Sequence, residues 1–332
     1  LVLFFKKELL SFFALPMTRG VLGFALGCAA LVWIVASVGI GAIGQALARG
    51  GWALPAMSLV HLTQLFCSAL AWRTGLGSGA PGRWRIFVIR WVREGVNALL
   101  PVAQIGGQLA GARLLVRAGL TRVQAAAGTI LDLTLEAVSQ LLFTLLGVGM
   151  LVGMRSDRHW LPWVGSGLVL LGLGLAGFVV AQRAGLMRLV ERGVARLAGV
   201  WPAAAHWSLD GLHAELMRLQ RRHRALGVAV VLHTAGWSAG AVEVWVALRW
   251  IGHGVGMADA FVIESLGMAA RSAGFAVPGA VGVQEGGFVL VAGLFGISAT
   301  DALALSMLKR IREELIGLPA LFAYGRMTQS DG

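Results

Sequence analysis

Apolar stretches long enough to cross a bilayer alternate with short arginine-rich connections through most of this chain. Membrane spans are predicted over about 21–47, 53–72, 122–152, 161–182, 226–250 and 299–324. Residues 2–15 read as a short amphipathic helix on the membrane surface, with Lys6 and Lys7 toward the headgroups. Two further apolar segments, 84–118 and 258–297, are interrupted, the first at Pro101 and the second at Pro278, Gly279 and Gly282. Proline removes a backbone donor and clashes with the preceding turn, so neither segment is one straight helix. The halves of the second are ~11–16 residues, or roughly 17–24 Å, against a hydrocarbon core of ~30 Å. Each interrupted segment is therefore predicted to be a re-entrant hairpin, two half-helices whose tips meet inside the membrane. Such backbone is tolerated at that depth only against protein or a wet cavity.

The interruptions belong to an internal repeat. Pro101 and Pro278 lie 177 positions apart (278 − 101), and the same offset relates Gly119-Leu120-Thr121 to Gly296-Ile297-Ser298. It also relates Ala125 to Ala302, Thr129 to Ser306 and Glu136 to Glu313, while Gly106-Gly107 and Gly286-Gly287 match after a small gap. The chain thus divides into halves of about 20–152 and 161–325 around a central site. Each half holds three crossings and a hairpin that returns to its own side. That odd number makes the halves inverted. Residues 184–224 are an insertion in the second half. There Leu186, Leu189, Val190 and Leu197 share one helical face and Arg188, Arg192 and Arg196 the other, and Leu209, Leu212, Leu216 and Leu219 continue the pattern. This predicts an interfacial, lipid-facing basic segment. The fold class is an all-α polytopic membrane protein: six transmembrane helices plus two re-entrant hairpins in an inverted repeat, forming one integral domain over 1–332.

Composition agrees. The 332 residues are 57% hydrophobic and 13% charged, with mean hydropathy +0.77. That charged share is about half the soluble norm of ~25%. The net charge of +12 does not indicate nucleic acid, because the basic residues lie in connections between spans, where they set topology. Both termini are placed in the cytoplasm, with Arg73, Arg83, Arg85, Arg113, Arg117, Arg122 and the 183–224 cluster on that side and Arg49, Arg155, Arg158 and Arg249 opposite. Cys28 and Cys67 sit in apolar spans as packing residues. The N-terminal stretch has too short an apolar run for a cleaved signal peptide. Gly39, Gly41 and Gly44 spell a dinucleotide-type motif, but inside an apolar span rather than after a strand. The histidines have no paired metal spacing, so neither metal nor cofactor is expected. Trp33, Trp52, Trp72, Trp84, Trp91, Trp160 and Trp163 fall near span ends, as an aromatic belt would.

Charged residues within the hydrocarbon are the candidate chemistry: Arg93, Glu94, Asp132, Glu136, Glu243, Glu264, Arg271, Glu285, Lys309, Arg310, Arg312, Glu313 and Glu314. A central charge costs ~2.5–3.5 kcal/mol on insertion scales, so these groups are paired, protonated or wet. Lys309 with Glu313, and Arg310 with Glu314, have the spacing to pair along their own helix. Asp132, Glu136 and Gln140 form a polar stripe on the third span, expected to face a basic stripe at Lys309 across the repeat axis. Half-helices beginning in the membrane aim unpaired N–H groups at their neighbours, which suits a phosphate or carboxylate. Arg93, Gln104, Gln108, Arg271, Gln284, Lys309 and Arg312 are the candidate headgroup ligands. Glu285, Asp132, Glu136 and Glu313 are the candidate proton or charge switches, since burial raises a carboxyl pKa and a nearby arginine lowers it.

The segments RWVREGVNALLPVAQIGGQ and GLTRVQAAAGTILDLTLEAVSQ, with RSAGFAVPGAVGVQEGGF and ALSMLKRIREELIGLP, resemble the lysylphosphatidylglycerol-synthase-type flippase transmembrane family, and most closely its hopanoid-biosynthesis-associated members. The resemblance covers nearly the whole chain. It implies a bacterial inner-membrane protein that moves a polar-headed lipid between leaflets, with a hopanoid or hopanoid-linked lipid as candidate cargo. Gly107-Gln108 stands where the wider family often carries an acidic residue, and no soluble aminoacyl-transfer domain accompanies these spans. Two other readings stay open. A non-catalytic accessory protein of lipid biosynthesis would dock partners on 184–224 or associate with itself, and a lipid-modifying enzyme would need a nucleophile or metal constellation.

Overall fold

The computed structural model describes residues 40–99, 105–154, 161–192, 209–274 and 277–329, and these contain helices and no strand. The surface helix expected at 2–15, nearly all of the span at 21–47, Cys28, Pro101 and Gln104 lie outside the described residues. Helix α1 (Ile40–Gly50) leads through a 3₁₀ turn at Gly51–Ala53 into α2 (Leu54–Leu76). The first interrupted segment is α3 (Arg83–Leu99) and α4 (Ile105–Arg117). Next come α5 (Arg122–Met154) and α6 (Leu161–Ala181), then α7 (Leu212–Gln220) and α8 (His223–Ile251). The second interrupted segment is α9 (Met257–Ala273) and α10 (Val283–Gly293), and α11 (Ala299–Gln329) follows.

The helix ends follow from local chemistry. α2 carries a proline in its first turn and stops at Gly77, whose φ of 87° suits a residue without Cβ. α8 stops likewise at Gly252, with φ 120°. The Ser298 hydroxyl accepts the Asp301 N–H at 3.2 Å and so caps α11. Between α9 and α10 the chain turns through a 3₁₀ turn at Pro278–Ala280, with Gly279 at φ 67° and Gly282 at φ 80°.

Among the described residues, four stretches are long and apolar enough to cross a membrane: Leu47–Leu76, Arg122–Met154, Gly165–Arg192 and His223–Ile251. The molecule is a multi-pass helical membrane protein. α11 has the length, at 31 residues, but carries Asp301, Lys309, Arg310, Arg312, Glu313 and Glu314. The arms of the interrupted segments have 17 and 13 residues in one case and 17 and 11 in the other. At the helical rise these are about 26, 20 and 17 Å long.

Each interrupted segment packs into its own core. Ile86, Ile89, Leu114 and Leu115 of the first join Trp72 and Tyr324. Ala260, Ile263, Phe288 and Ala292 of the second join Val244, Leu248, Leu305 and Leu308. Glycine lets the arms close. A Cβ on Gly107 would lie 2.2 Å from the Arg93 carbonyl oxygen, and one on Gly287 would lie 2.5 Å from the Ala270 Cβ. The Gly107 N–H also donates to Asn97 Oδ1 at 2.9 Å, tying α4 to α3. The halves meet where α2 packs along α8 and where α3 crosses α11. At that second crossing the Gly95 and Gly317 backbones touch, and Trp91 Nε1 donates to the Ile316 carbonyl at 2.8 Å.

The 184–224 region departs from its expected lipid-facing character. α6 continues through a π turn at Gln182–Leu186 to residue 192. Gln182 is buried, donating to Thr134 Oγ1 at 2.9 Å and accepting from Gln220 Nε2 at 3.0 Å. The apolar face of α7, Leu212, Leu216 and Leu219, is buried against Leu131, Leu135 and Ala229. It covers protein, because α5 presents a matching apolar face at that level. Leu189 and Val190 remain exposed, and Leu197 lies outside the described residues.

Candidate functional site

The charged residues converge. In α3, Arg90, Arg93 and Glu94 share one face because they lie three and four positions apart. Asp132 and Glu136 share a face of α5 for the same reason. Arg90 donates to Asp132 at 3.0 Å and to Glu136 at 2.7 Å, and its guanidinium lies 3.7 Å from Glu94. Arg93 donates to Asp132 Oδ2 and, at 3.2 Å, to Glu136. Its side chain is 1% exposed, and the guanidinium sits 4.9 Å from the centre of the Trp72 ring. Trp72 is thus buried and stacked on a cation rather than placed in an interfacial belt, whereas Trp52 and Trp84 are exposed. His233 of α8 completes the group, its Nε2 3.1 Å from Asp132 Oδ1.

A second cluster lies in the other half. Lys309 of α11, 2% exposed, donates to both oxygens of Glu264 at 2.9 Å and to Glu243 at 3.2 Å. Arg312 and Gln64 also donate to Glu243, at 3.0 and 2.9 Å, and His61 stands 3.5 Å from it. Arg271 of α9 donates to Glu313 at 2.6 Å and to Gln284 Oε1 at 2.8 Å. Gln284 donates onward to the Ser306 hydroxyl at 3.0 Å. Arg310 donates to Glu285 at 2.5 Å and to the Gly279 carbonyl at 3.1 Å. Glu285 in turn accepts the Gly282 N–H at 2.7 Å, satisfying a backbone donor at the start of α10.

Two expectations about pairing are corrected. Lys309 and Arg310 bind carboxylates on α8, α9 and α10 rather than Glu313 and Glu314 one turn along α11, because the facing helices bring carboxylates closer and bury them. The acidic stripe of α5 does not pair with Lys309. It is matched within its own half by Arg90 and Arg93, and Lys309 finds Glu243 and Glu264 instead.

Between the clusters lies a cavity of about 390 Å³. Its wall takes His61 from α2, Arg90, Arg93 and Glu94 from α3, Gln108 from α4, Glu136 and Gln140 from α5 and His233 from α8. Glu264 and Arg271 of α9, Gly279, and Lys309, Arg310, Arg312, Glu313 and Glu314 of α11 complete it. Asp132, Gln284 and Glu285 lie behind this wall, bonded to residues that form it. Gly106 and Gly107 open α4, and Pro278, Gly279 and Gly282 lie in the turn before α10. Several buried polar atoms on the wall have no partner among the described residues: Gln108 Oε1, Gln140 Oε1, His233 Nδ1, and Arg312 Nε and Nη1. Each is a buried donor or acceptor that these helices leave unsatisfied. Arg90, His61, His233 and Gln64 were absent from the sequence candidates. A signal existed for three of them: Arg90 lies one turn before Arg93, and His61 and His233 are titratable groups inside apolar spans.

The architecture defines a helical membrane protein with a charged interior cavity. Residues 20–317 match the family described as the lysylphosphatidylglycerol synthase TM region, and the chain belongs to that family. No curated protein matches the chain.

Proposed function

We propose that this protein moves a polar-headed lipid between the leaflets of a bacterial inner membrane and has no catalytic step of its own. The headgroup enters the cavity while the tails remain in the bilayer. In this reading α3–α4 and α9–α10 are re-entrant hairpins, six helices cross the membrane and both termini are cytoplasmic, an orientation supported by the arginine asymmetry of the connections. The family's description links it to a lipid, and a hopanoid or hopanoid-linked lipid is our candidate cargo. The observation that carries the proposal is the cavity itself. A hydrophilic hollow of about 390 Å³ inside an apolar bundle, walled by both halves, has room for a headgroup.

The test is lipid translocation in vesicles reconstituted with the purified protein, comparing wild type with Ser68→Trp. Ser68 lines the cavity without entering either ion-pair cluster. The wild type should equilibrate a headgroup-labelled lipid between leaflets and the filled variant should not, while both keep the same helical content. Equal rates for the two would remove the cavity from the path. Absence of translocation with every lipid extracted alongside the purified protein would favour the accessory role.

A further inference from the structure

Several carboxylates on and behind the cavity wall are already held by arginines. Asp132 and Glu136 hold Arg90 and Arg93, Glu285 holds Arg310, and Glu313 holds Arg271. His233 differs. It lines the cavity, its side chain is 1% exposed, and only one of its ring nitrogens has a partner. Ionised Asp132 can only accept, so Nε2 carries the hydrogen of the neutral ring and Nδ1 keeps a lone pair. Nδ1 is buried and has no partner among the described residues.

The groups brought toward α8 here are His61 and Cys67 from α2, Asp132 and Glu136 from α5, Glu264 from α9, and Lys309 and Arg312 from α11. Glu264 is matched by Lys309, and Arg312 by Glu243. Around His233 itself, Arg90 and Arg93 stand against Asp132, Glu136 and Glu94. Asp132 and Glu136 offset the two guanidiniums, so the excess negative charge while the imidazole is neutral is that of Glu94, whose side chain is 43% exposed.

We propose that His233 is a proton-binding site of the cavity. The proton comes from water in the cavity and adds to Nδ1, while Asp132 continues to hold the Nε2 hydrogen. It returns to water in the cavity, and no other bond changes. The site stands on this geometry, and its use in a transport cycle rests on the transport reading above.

The experiment uses the full chain, labelled with ¹⁵N in its seven histidines and held in lipid nanodiscs, titrated from about pH 5 to pH 9. One imidazole should pass from the neutral, Nε2-protonated pattern to imidazolium in that window and be absent from His233→Gln. Removing the other histidines singly assigns the same resonance should that variant fail to fold. Proteoliposomes supply the second readout. The pH profile of translocation should flatten in His233→Gln and remain as wild type in His253→Gln, whose ring meets Asp301 away from the cavity. A His233 resonance that stays neutral and singly protonated throughout overturns the proton site. A titrating ring with an unchanged translocation profile overturns its use in transport. Titration in a protein that translocates nothing leaves the site standing and removes the transport reading.

Discussion

Glu136 and Glu313 lie 177 positions apart, and each binds an arginine on the first arm of the interrupted segment preceding it. Arg93 meets Glu136 at 3.2 Å and Arg271 meets Glu313 at 2.6 Å. The repeat seen in the sequence is thus a repeat of one mechanical joint, in which a short arm is bolted to the long helix that follows. Removing one side of a fully buried pair costs about 3–5 kcal/mol, and the partly buried Arg271–Glu313 pair, 19% and 18% exposed, should cost less. Glu313→Ala should therefore lower the thermal unfolding temperature in detergent by many degrees. Arg271→Met with Glu313→Leu should recover much of that loss.

Lys309 is a harder case, because two carboxylates depend on it. Lys309→Met should be more damaging than Glu264→Gln, since it leaves Glu243 with Arg312 alone and Glu264 with no cation. Combining the two changes should restore part of the stability. A double-mutant cycle in thermal unfolding reads the coupling directly, and additive effects would show that Glu264 does not depend on the ammonium.

The approach of α4 to α3 sets a steric test. Gly107→Val places carbon against the Arg93 carbonyl, which is rigid backbone, and should destabilise by about 1–3 kcal/mol or more. Gly149→Val on α5 meets nothing within 4 Å and should change stability by about 0.5 kcal/mol or less. Unfolding midpoints of the two variants in one detergent make the comparison.

Gln182 joins α6, α5 and α7 through Thr134 and Gln220. Gln182→Leu leaves Gln220 Nε2 without its acceptor and Thr134 with only its bond to the Ile130 carbonyl, at about 1–3 kcal/mol. Amide exchange across 209–222 should rise in that variant while exchange in α2 stays unchanged.

Much of the fold was legible from the alternation of apolar runs with breakers. The span expected at 122–152 is Arg122–Met154, that at 226–250 is His223–Ile251, and the segment 258–297 divides at Pro278 as proline chemistry requires. Helix periodicity also identified which residues share a face. It could not say which faces meet. The Lys309–Glu313 expectation failed for that reason: spacing along one helix is visible in a sequence, whereas Glu243 and Glu264 lie 66 and 45 positions away from Lys309 and reach it only through packing. The α7 leucines were misjudged similarly, since an amphipathic face reads alike whether lipid or α5 lies beneath it. Arg90 and His233 carried a signal in the sequence, but their contacts with Asp132 come from packing against α5.

The crossing of α3 over α11 carries a consequence for the bore of the hollow. Gly95 and Gly317 both border it, and a Cβ on Gly95 would lie 2.9 Å from the Gly317 carbonyl oxygen and 2.7 Å from the Ala320 methyl. At that level the two halves are spaced by hydrogen atoms alone. The contact works as a gauge of zero thickness, and a single methyl group added there would jack the walls apart.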